Sequence, residues 1–368
     1  MLDRQAEQRR IGDRVAQARN DAGLTQGALA ERIGMERTQL VRVEIGERRI
    51  TVSELAALAD ELGLSLEWFI TDSPPAVLSR RSDASKDASS PSLDLAVDRA
   101  ARDVRFLLER GVVDYQDRPI VAVPTTFEQA ESLAGHVRTE LGLDFGPIPD
   151  LGRVAERLGV VWFCEALDGE AGNGACVELP AGGDRRLGVA VVNGSTEPGR
   201  RRWTLAHEVG HFLMGDAFAS EHPPGETERF IDAFVVHFML PRDGVAQIWQ
   251  ELASATLRRR ALAVAARYQV SWTAACNQLR NLRLIDYAAR GQLAEDVPTR
   301  GEFVAAGEMW GQELRPPAVA PKYERAVLDA YVAGLLSHDR TLELLRGTFE
   351  SKDLPPRHEV GPYPALSG

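Results

Sequence analysis

The stretch Trp203-Thr-Leu-Ala-His207-Glu208-Val-Gly-His211-Phe-Leu-Met214 decides how the middle of the chain is read. As a helix it places His207 and His211 one turn apart on the same face. Two imidazoles so placed can bind one zinc ion, and Glu208 beside them can take a proton from metal-bound water. Leu205, Val209, Phe212 and Leu213 supply the face to be buried. Gly215 is the predicted stop.

Working outward, Gly225-Glu-Thr-Glu228-Arg-Phe-Ile-Asp232-Ala-Phe234-Val-Val-His-Phe238-Met-Leu-Pro241 reads as a second amphipathic helix ended by its proline. Phe230, Ile231, Phe234, Val235 and Phe238 form its apolar face. Glu226 and Glu228 fall in its first turn, where carboxylates suit the helix dipole. A carboxylate from this helix would complete a two-histidine, one-carboxylate zinc set with one position left for water. Glu226, Glu228, Asp232 and His222 all compete for that place.

These two stretches together resemble the ImmA/IrrE metallopeptidases. That family carries Arg-x-Thr-x-x-His-Glu-x-Gly-His, followed by a helix of the form Glu-x-x-Ala-Asn-x-Phe-Ala-x-x-Leu-Leu-Met-Pro. Here the first element is Arg202-Trp-Thr204-Leu-Ala-His207-Glu208-Val-Gly210-His211. Counting back from Pro241 sets Glu228 on the family's ligand glutamate and Phe234 on its phenylalanine. Ile231-Asp232 replaces the Ala-Asn pair, which leaves any ligand-orienting work of the Asn to a carboxylate. The resemblance spans about residues 126–286. It implies Zn2+ held by His207, His211 and Glu228, with Glu208 as the catalytic base. The implied reaction is hydrolysis of a peptide bond, with the proton returned to the leaving amine. For the oxyanion, His222, His237 and Tyr268 are all candidates.

Composition sets the outer limits. The chain has 368 residues, enough for two or three domains, with 44% hydrophobic and 26% charged residues. A net charge of −11 argues against a protein that coats nucleic acid, but leaves room for a small DNA-reading module. The cysteines, Cys164, Cys176 and Cys276, are three and widely spaced, so neither a disulfide framework nor a Cys-x-x-Cys site follows. A reducing cytoplasm is the expected location, and no apolar run points to a membrane span.

Residues 1–70 supply that module. Helices are expected around Ile11–Arg19, from Thr25-Gln26 to Ile33, over Glu36–Ile45 and Val52–Leu62, and a short one near Leu66, with Thr25 as a cap. Leu24-Thr25-Gln26-Gly-Ala-Leu29-Ala30-Glu-Arg-Ile-Gly34 followed by Val43-Glu44-Ile45-Gly46 closely resembles the Xre/Cro helix-turn-helix repressors. The family's docking implies that Arg37, Thr38, Gln39 and Arg42 enter the major groove and that Gln26 reaches a phosphate or base. The module holds ten basic and twelve acidic residues. Binding would therefore depend on a local face of Arg37, Arg42, Arg48 and Arg49.

The predicted fold is α+β and mostly helical. It comprises an N-terminal five-helix domain at 1–70, a flexible Ser/Pro/Asp-rich linker at 71–94, a zincin-like peptidase domain with a small sheet at 95–290, and a helical extension at 291–368. Strands are expected at Val160–Cys164 and Gly188–Asn193, with Ala190–Asn193 as an exposed strand able to hold an extended substrate. Residues 298–321 are expected to be irregular, and Tyr323–Leu345 to form one or two helices. Two functional readings follow. One is a zinc peptidase fused to a repressor domain, cleaving a partner regulator or itself. The other is a non-enzymatic repressor or the antitoxin of a toxin–antitoxin pair, with the zinc domain as sensor or partner-binding module. Both imply a double-stranded DNA operator, a protein substrate or cognate regulator or toxin, no membrane, and a homodimer matching a two-fold operator.

Overall fold

Glu44 organises the first unit of the chain. Its carboxylate is 5% exposed. It accepts hydrogen bonds from Arg19 Nε at 2.6 Å and Nη2 at 3.2 Å, and from Gln26 Nε2 at 2.7 Å. Those donors lie on α1 (Arg4–Asp21) and α2 (Gln26–Arg32), and Glu44 ends α3 (Arg37–Glu44). One buried carboxylate thus ties three helices together, while Val15, Leu29, Leu40, Val43, Leu55, Leu58 and Phe69 fill the core with α4 (Val52–Leu62) and α5 (Leu66–Ile70). Thr25 caps α2, accepting from the Ala28 amide at 3.2 Å, as its position predicts.

The computed structural model describes residues 4–22, 24–62, 66–70, 77–81, 91–114, 119–167, 172–180, 186–215, 224–306 and 313–357. Most of the stretch read as a linker, and His222, fall outside those residues. So does the side chain of Glu226. The chain divides into two units, residues 1–74 with 87–95, and residues 75–86 with 96–368.

The second unit is built on a five-stranded sheet in the order β1-β3-β4-β2-β5. Its strands are β1 (Val77–Arg81), β2 (Val160–Glu165), β3 (Gly174–Pro180), β4 (Arg186–Asn193) and β5 (Ala318–Val319). β2 and β4 run parallel; the other pairs are antiparallel. Every residue of β4 is buried, as its apolar run through a sheet centre requires. Ala190–Asn193 is therefore not the exposed strand expected: β3 and β2 take up both of its edges.

Helix α6 (Pro91–Glu109) is followed by α7 (Phe127–Glu140) and α8 (Leu151–Arg157), and α8 lies against β2. After β4 come α9 (Pro198–Met214) and α10 (Pro224–Met239), which pack on each other. Then follow α11 (Arg242–Glu251), α12 (Leu257–Tyr268), α13 (Trp272–Asn281), α14 (Tyr287–Glu295) and α15 (Arg300–Ala305). The chain goes on to α16 (Pro321–Val332) and α17 (His338–Leu345).

Two sequence expectations change here. Val77–Arg81, read as flexible linker, is an edge strand, and Pro91 already begins a helix. The stretch 298–321, read as irregular, contains α15 and β5. The C-terminal residues are integrated into the second unit. Glu156 of α8 accepts the Lys322 amide at 2.6 Å, capping α16 from across the fold. Asp103 of α6 takes Arg340 at 2.8 Å and Arg346 at 2.6 Å, and Arg346 also bonds Glu165 at the end of β2. These buried charges are paired, which is the condition for keeping them out of water.

Candidate metal centre and nucleic-acid face

Helix α9 starts with Pro198 in its first turn and ends at Gly215, whose φ of 57° and amide bond to the His211 carbonyl close the last turn. Between these limits His207, Glu208 and His211 are 3%, 0% and 1% exposed. The two imidazole Nε2 atoms lie 2.9 Å apart. Glu228, in the second turn of α10, places one carboxylate oxygen 3.4 Å from His207 Nε2 and the other 3.4 Å from His211 Nε2. These are the ligand-type atoms that converge among the described residues, all within 4.8 Å of one another.

The approach of the two helices depends on Gly210. A Cβ there would stand 3.1 Å from Ile231 Cγ2 and 3.4 Å from Phe234 Cδ1. The glycine in the His-Glu-x-Gly-His pattern is thus a spacing residue that lets α10 bring Glu228 over the histidines. Burial by itself would raise the Glu228 carboxyl; the hydrogen bond from His207 and the charges of His211 and His207 outweigh it and hold the pKa below the usual value. On the far side of its ring, His207 Nδ1 lies 3.2 Å from Asp232 Oδ1. Asp232 therefore sits behind a histidine, where it can fix ring orientation and tautomer, and not among the converging ligand atoms.

The cluster suits a zinc ion. Tetrahedral coordination with bonds of about 2.0–2.1 Å sets ligand atoms roughly 3.3–3.4 Å apart, the spacing Glu228 keeps from both histidines. Two imidazoles and one carboxylate also form a donor set of the catalytic type, short of closure by one ligand. Glu208 occupies the α9 position next to His207, on the side of β3: a Cβ on Gly174 would come within 3.6 Å of its Oε1 and 2.4 Å of Thr204 Cγ2.

Arg202 has a structural task. It is 2% exposed, bonds Glu313, and donates to the Ile148 carbonyl at 2.7 Å, while Glu313 also accepts the Gly152 amide at 2.6 Å. Burial depresses its pKa to about 10. The described oxyanion candidates have other partners. Tyr268 donates to the Phe145 carbonyl at 2.6 Å and is pushed up to about 12 by burial. His237 stands 3.7 Å from Glu131, which is bound to Arg242 at 2.6 Å. Cys164, Cys176 and Cys276 form no disulfide and are all buried; burial raises Cys164 to about 12 and Cys276 to about 11.

In the first unit α3 shows two faces. Leu40, Val43 and Glu44 are buried, while Arg37, Thr38 and Arg42 are exposed and Gln39 is half-buried. Arg42 lies 4.0 Å from Glu47, an exposed pair. Gln26 is half-buried with its amide nitrogen on Glu44, so its first duty is to the clamp between helices. Arg48 is paired to Glu54 at 2.7 Å, which leaves Arg37, Arg42 and Arg49 as the exposed arginines of the expected basic face. What the sequence did not disclose was that Glu44 and Gln26 are partners. Their shared place in the signature was the available signal.

Comparison with known proteins finds two family matches in separate parts of the chain. Residues 15–69 match the helix-turn-helix family model, and residues 155–280 match that of the IrrE N-terminal-like domain. An uncharacterized transcriptional regulator in the ATPase CF(0) region of Rhodospirillum rubrum is 37% identical over 62 residues, 17% of this chain and 57% of that protein. Two solved structures align over 92% of the chain. They are Bacillus thuringiensis PlcR in complex with the peptide PapR7 and DNA (13% identity, 99% of that chain) and ComR from Streptococcus suis (12%, 87% of that chain). Their TM-scores, 0.19 and 0.17, carry no structural argument. Among the described residues no helix is long and apolar enough to cross a membrane. The chain thus joins a helix-turn-helix domain of the Xre type to a peptidase-family domain of the ImmA/IrrE type.

Proposed function

We propose that the protein is a DNA-binding transcriptional regulator whose second domain is a zinc-dependent peptidase, cleaving a peptide bond in a partner regulator or in its own chain. The observation that carries this reading is the convergence of His207, His211 and Glu228 with the fully buried Glu208 alongside. His207, His211 and Glu228 would hold the ion, with Asp232 behind His207. A zinc ion held there would supply Lewis acidity toward the scissile carbonyl and the attacking water. Glu208 accepts a proton from the attacking water on its carboxylate and passes it to the leaving amine nitrogen.

In the first domain, Arg37, Thr38 and Arg42, with Gln39 beside them, face the major groove of an operator. A homodimer supplies the two-fold match to such a site, and the protein works in the cytoplasm, where DNA is accessible. The transcriptional-regulator name of the Rhodospirillum rubrum relative supports this half of the reading.

Two experiments test the halves separately. Mass spectrometry on zinc-supplemented wild type and Glu208→Gln, each incubated alone and with candidate partner regulators, should find hydrolysis in the wild type only. Equal cleavage in both, or none in either, counts against the peptidase. Selection from random duplex DNA should enrich one sequence family; a flat result removes the operator.

A further inference from the structure

The strand beside Glu208 is β3, and one of its edges belongs to β4. The other edge is the place where an extended peptide would add to the sheet next to the metal cluster, by main-chain pairing. That edge is taken by β1. Arg81 pairs with Gly174, Arg80 with Ala175, Ser79 with Cys176 and Val77 with Val177, all antiparallel, with an irregularity between Val77 and Ser79. Gly174 is the residue whose missing Cβ would crowd Thr204 and approach Glu208 Oε1 at 3.6 Å. The C-terminal end of β1 therefore lies opposite Gly174, a β3 residue beside the candidate base, and β1 also runs beside α9.

We infer that residues 77–81 are an intramolecular occupant of the peptide-binding edge. The site takes an extended segment antiparallel to β3, and the chain's own segment must leave before another peptide enters. Three features favour this over a plain structural strand. β1 comes from the sequence joining the two family-matched domains and not from the body of the second. Its ladder is short and interrupted, so its release costs few hydrogen bonds. Its composition, Val-Leu-Ser-Arg-Arg, is flanked by Ser, Pro and Asp and has little to bury on its own. An event that pulls on this connection, such as operator binding or release, would then open or close the edge.

The inference rests on the peptidase reading of the site, but its test needs neither metal nor turnover. In full-length Ser79→Cys, mild oxidation should join the new thiol to Cys176, its cross-strand partner, and not to Cys164 or Cys276. A second variant replaces residues 77–81 by a Gly/Ser stretch of equal length. The probe is a fluorescent peptide of residues 75–86. It should bind this replacement variant at least tenfold more tightly than wild type, and should fail to bind the oxidised cross-linked form. Amide exchange at Ala175–Val177 should quicken in the replacement variant and slow again when the peptide is added. No cross-link to Cys176, equal peptide binding to all forms, or unchanged exchange would each overturn the inference. Zinc content of the same samples separates the outcomes, since loss of zinc binding bears on the peptidase reading and not on the strand.

Discussion

Two buried polar clusters of the chain, around Glu44 and around His207, differ in what completes them. In the first unit Glu44 is met by Arg19 and Gln26, cation and amide donors from two other helices, and the cluster is closed by protein alone. In the second, two imidazole nitrogens and a carboxylate are turned toward one another at 2.9 and 3.4 Å. The first is a clamp: its neutralising charge is built into the sequence, and its product is a rigid α3 with an exposed outer face. The second is arranged as a set of lone-pair donors around a common point, which is what a cation requires. A buried carboxylate by itself therefore says little about function; the chemical type of its neighbours separates a structural pair from a ligand set.

The sharpest way to break this contrast is Glu208→Gln. It should leave zinc content unchanged while lowering the hydrolysis rate by roughly 10²–10⁴-fold, the usual contribution of a general base. A variant that lost the ion as well would make Glu208 part of the ligand set. On the clamp side, Glu44→Ala should destabilise the helix-turn-helix unit by about 1–3 kcal/mol, since it strips the half-buried Arg19 and Gln26 of their shared acceptor. Denaturant unfolding of the full chain would show the first unit's transition moving alone; a shift below 1 kcal/mol, on the order of an exposed pair, would mean the clamp is solvated.

Glu156 offers a pH-dependent comparison. Burial, only partly offset by the Lys322 and Tyr323 amides, raises its pKa from 4.5 to about 7. The folded state thus prefers the protonated form. Its contribution is complete below the unfolded value of 4.5 and is lost as pH rises through about 7. Between pH 5 and 8 the second unit should lose about 2–3 kcal/mol on this account. Glu156→Gln should remove that slope, so thermal unfolding of the two proteins should diverge as pH rises; parallel curves would contradict it. The smallest effect is expected on the exposed face of α3. Arg37→Ala or Arg42→Ala should weaken operator binding by about 1–3 kcal/mol if the side chain reads a base. Fluorescence titration at fixed salt would show it, with unfolding midpoints unchanged.

Much of this was legible in the sequence where a pattern is local. His207 and His211 lie four apart on one helix, Gly215 and Pro241 end their helices, and Thr25 caps α2, because spacing and backbone chemistry act within a few residues. Glu228 needed the register of a second helix counted back from Pro241. What stayed hidden depends on partners far along the chain. β1 owes its state to the free edge of β3, and β5 is two residues long, paired to β2 across more than a hundred residues of sequence. Ala190–Asn193 reads as any apolar strand does, and only sheet order shows that it is central. The tail showed its helices but not its anchoring, because Glu156, Asp103 and Glu165 look like ordinary surface carboxylates until their distant partners are known.

The most direct test of the central claim is metal content of the chain purified without chelator and supplied with zinc, beside His207→Ala and Glu228→Ala. About one zinc per wild-type chain, lost in both variants while the helix-turn-helix unit unfolds as before, is the predicted result. Wild type without zinc, or zinc that survives removal of either ligand, would contradict the account.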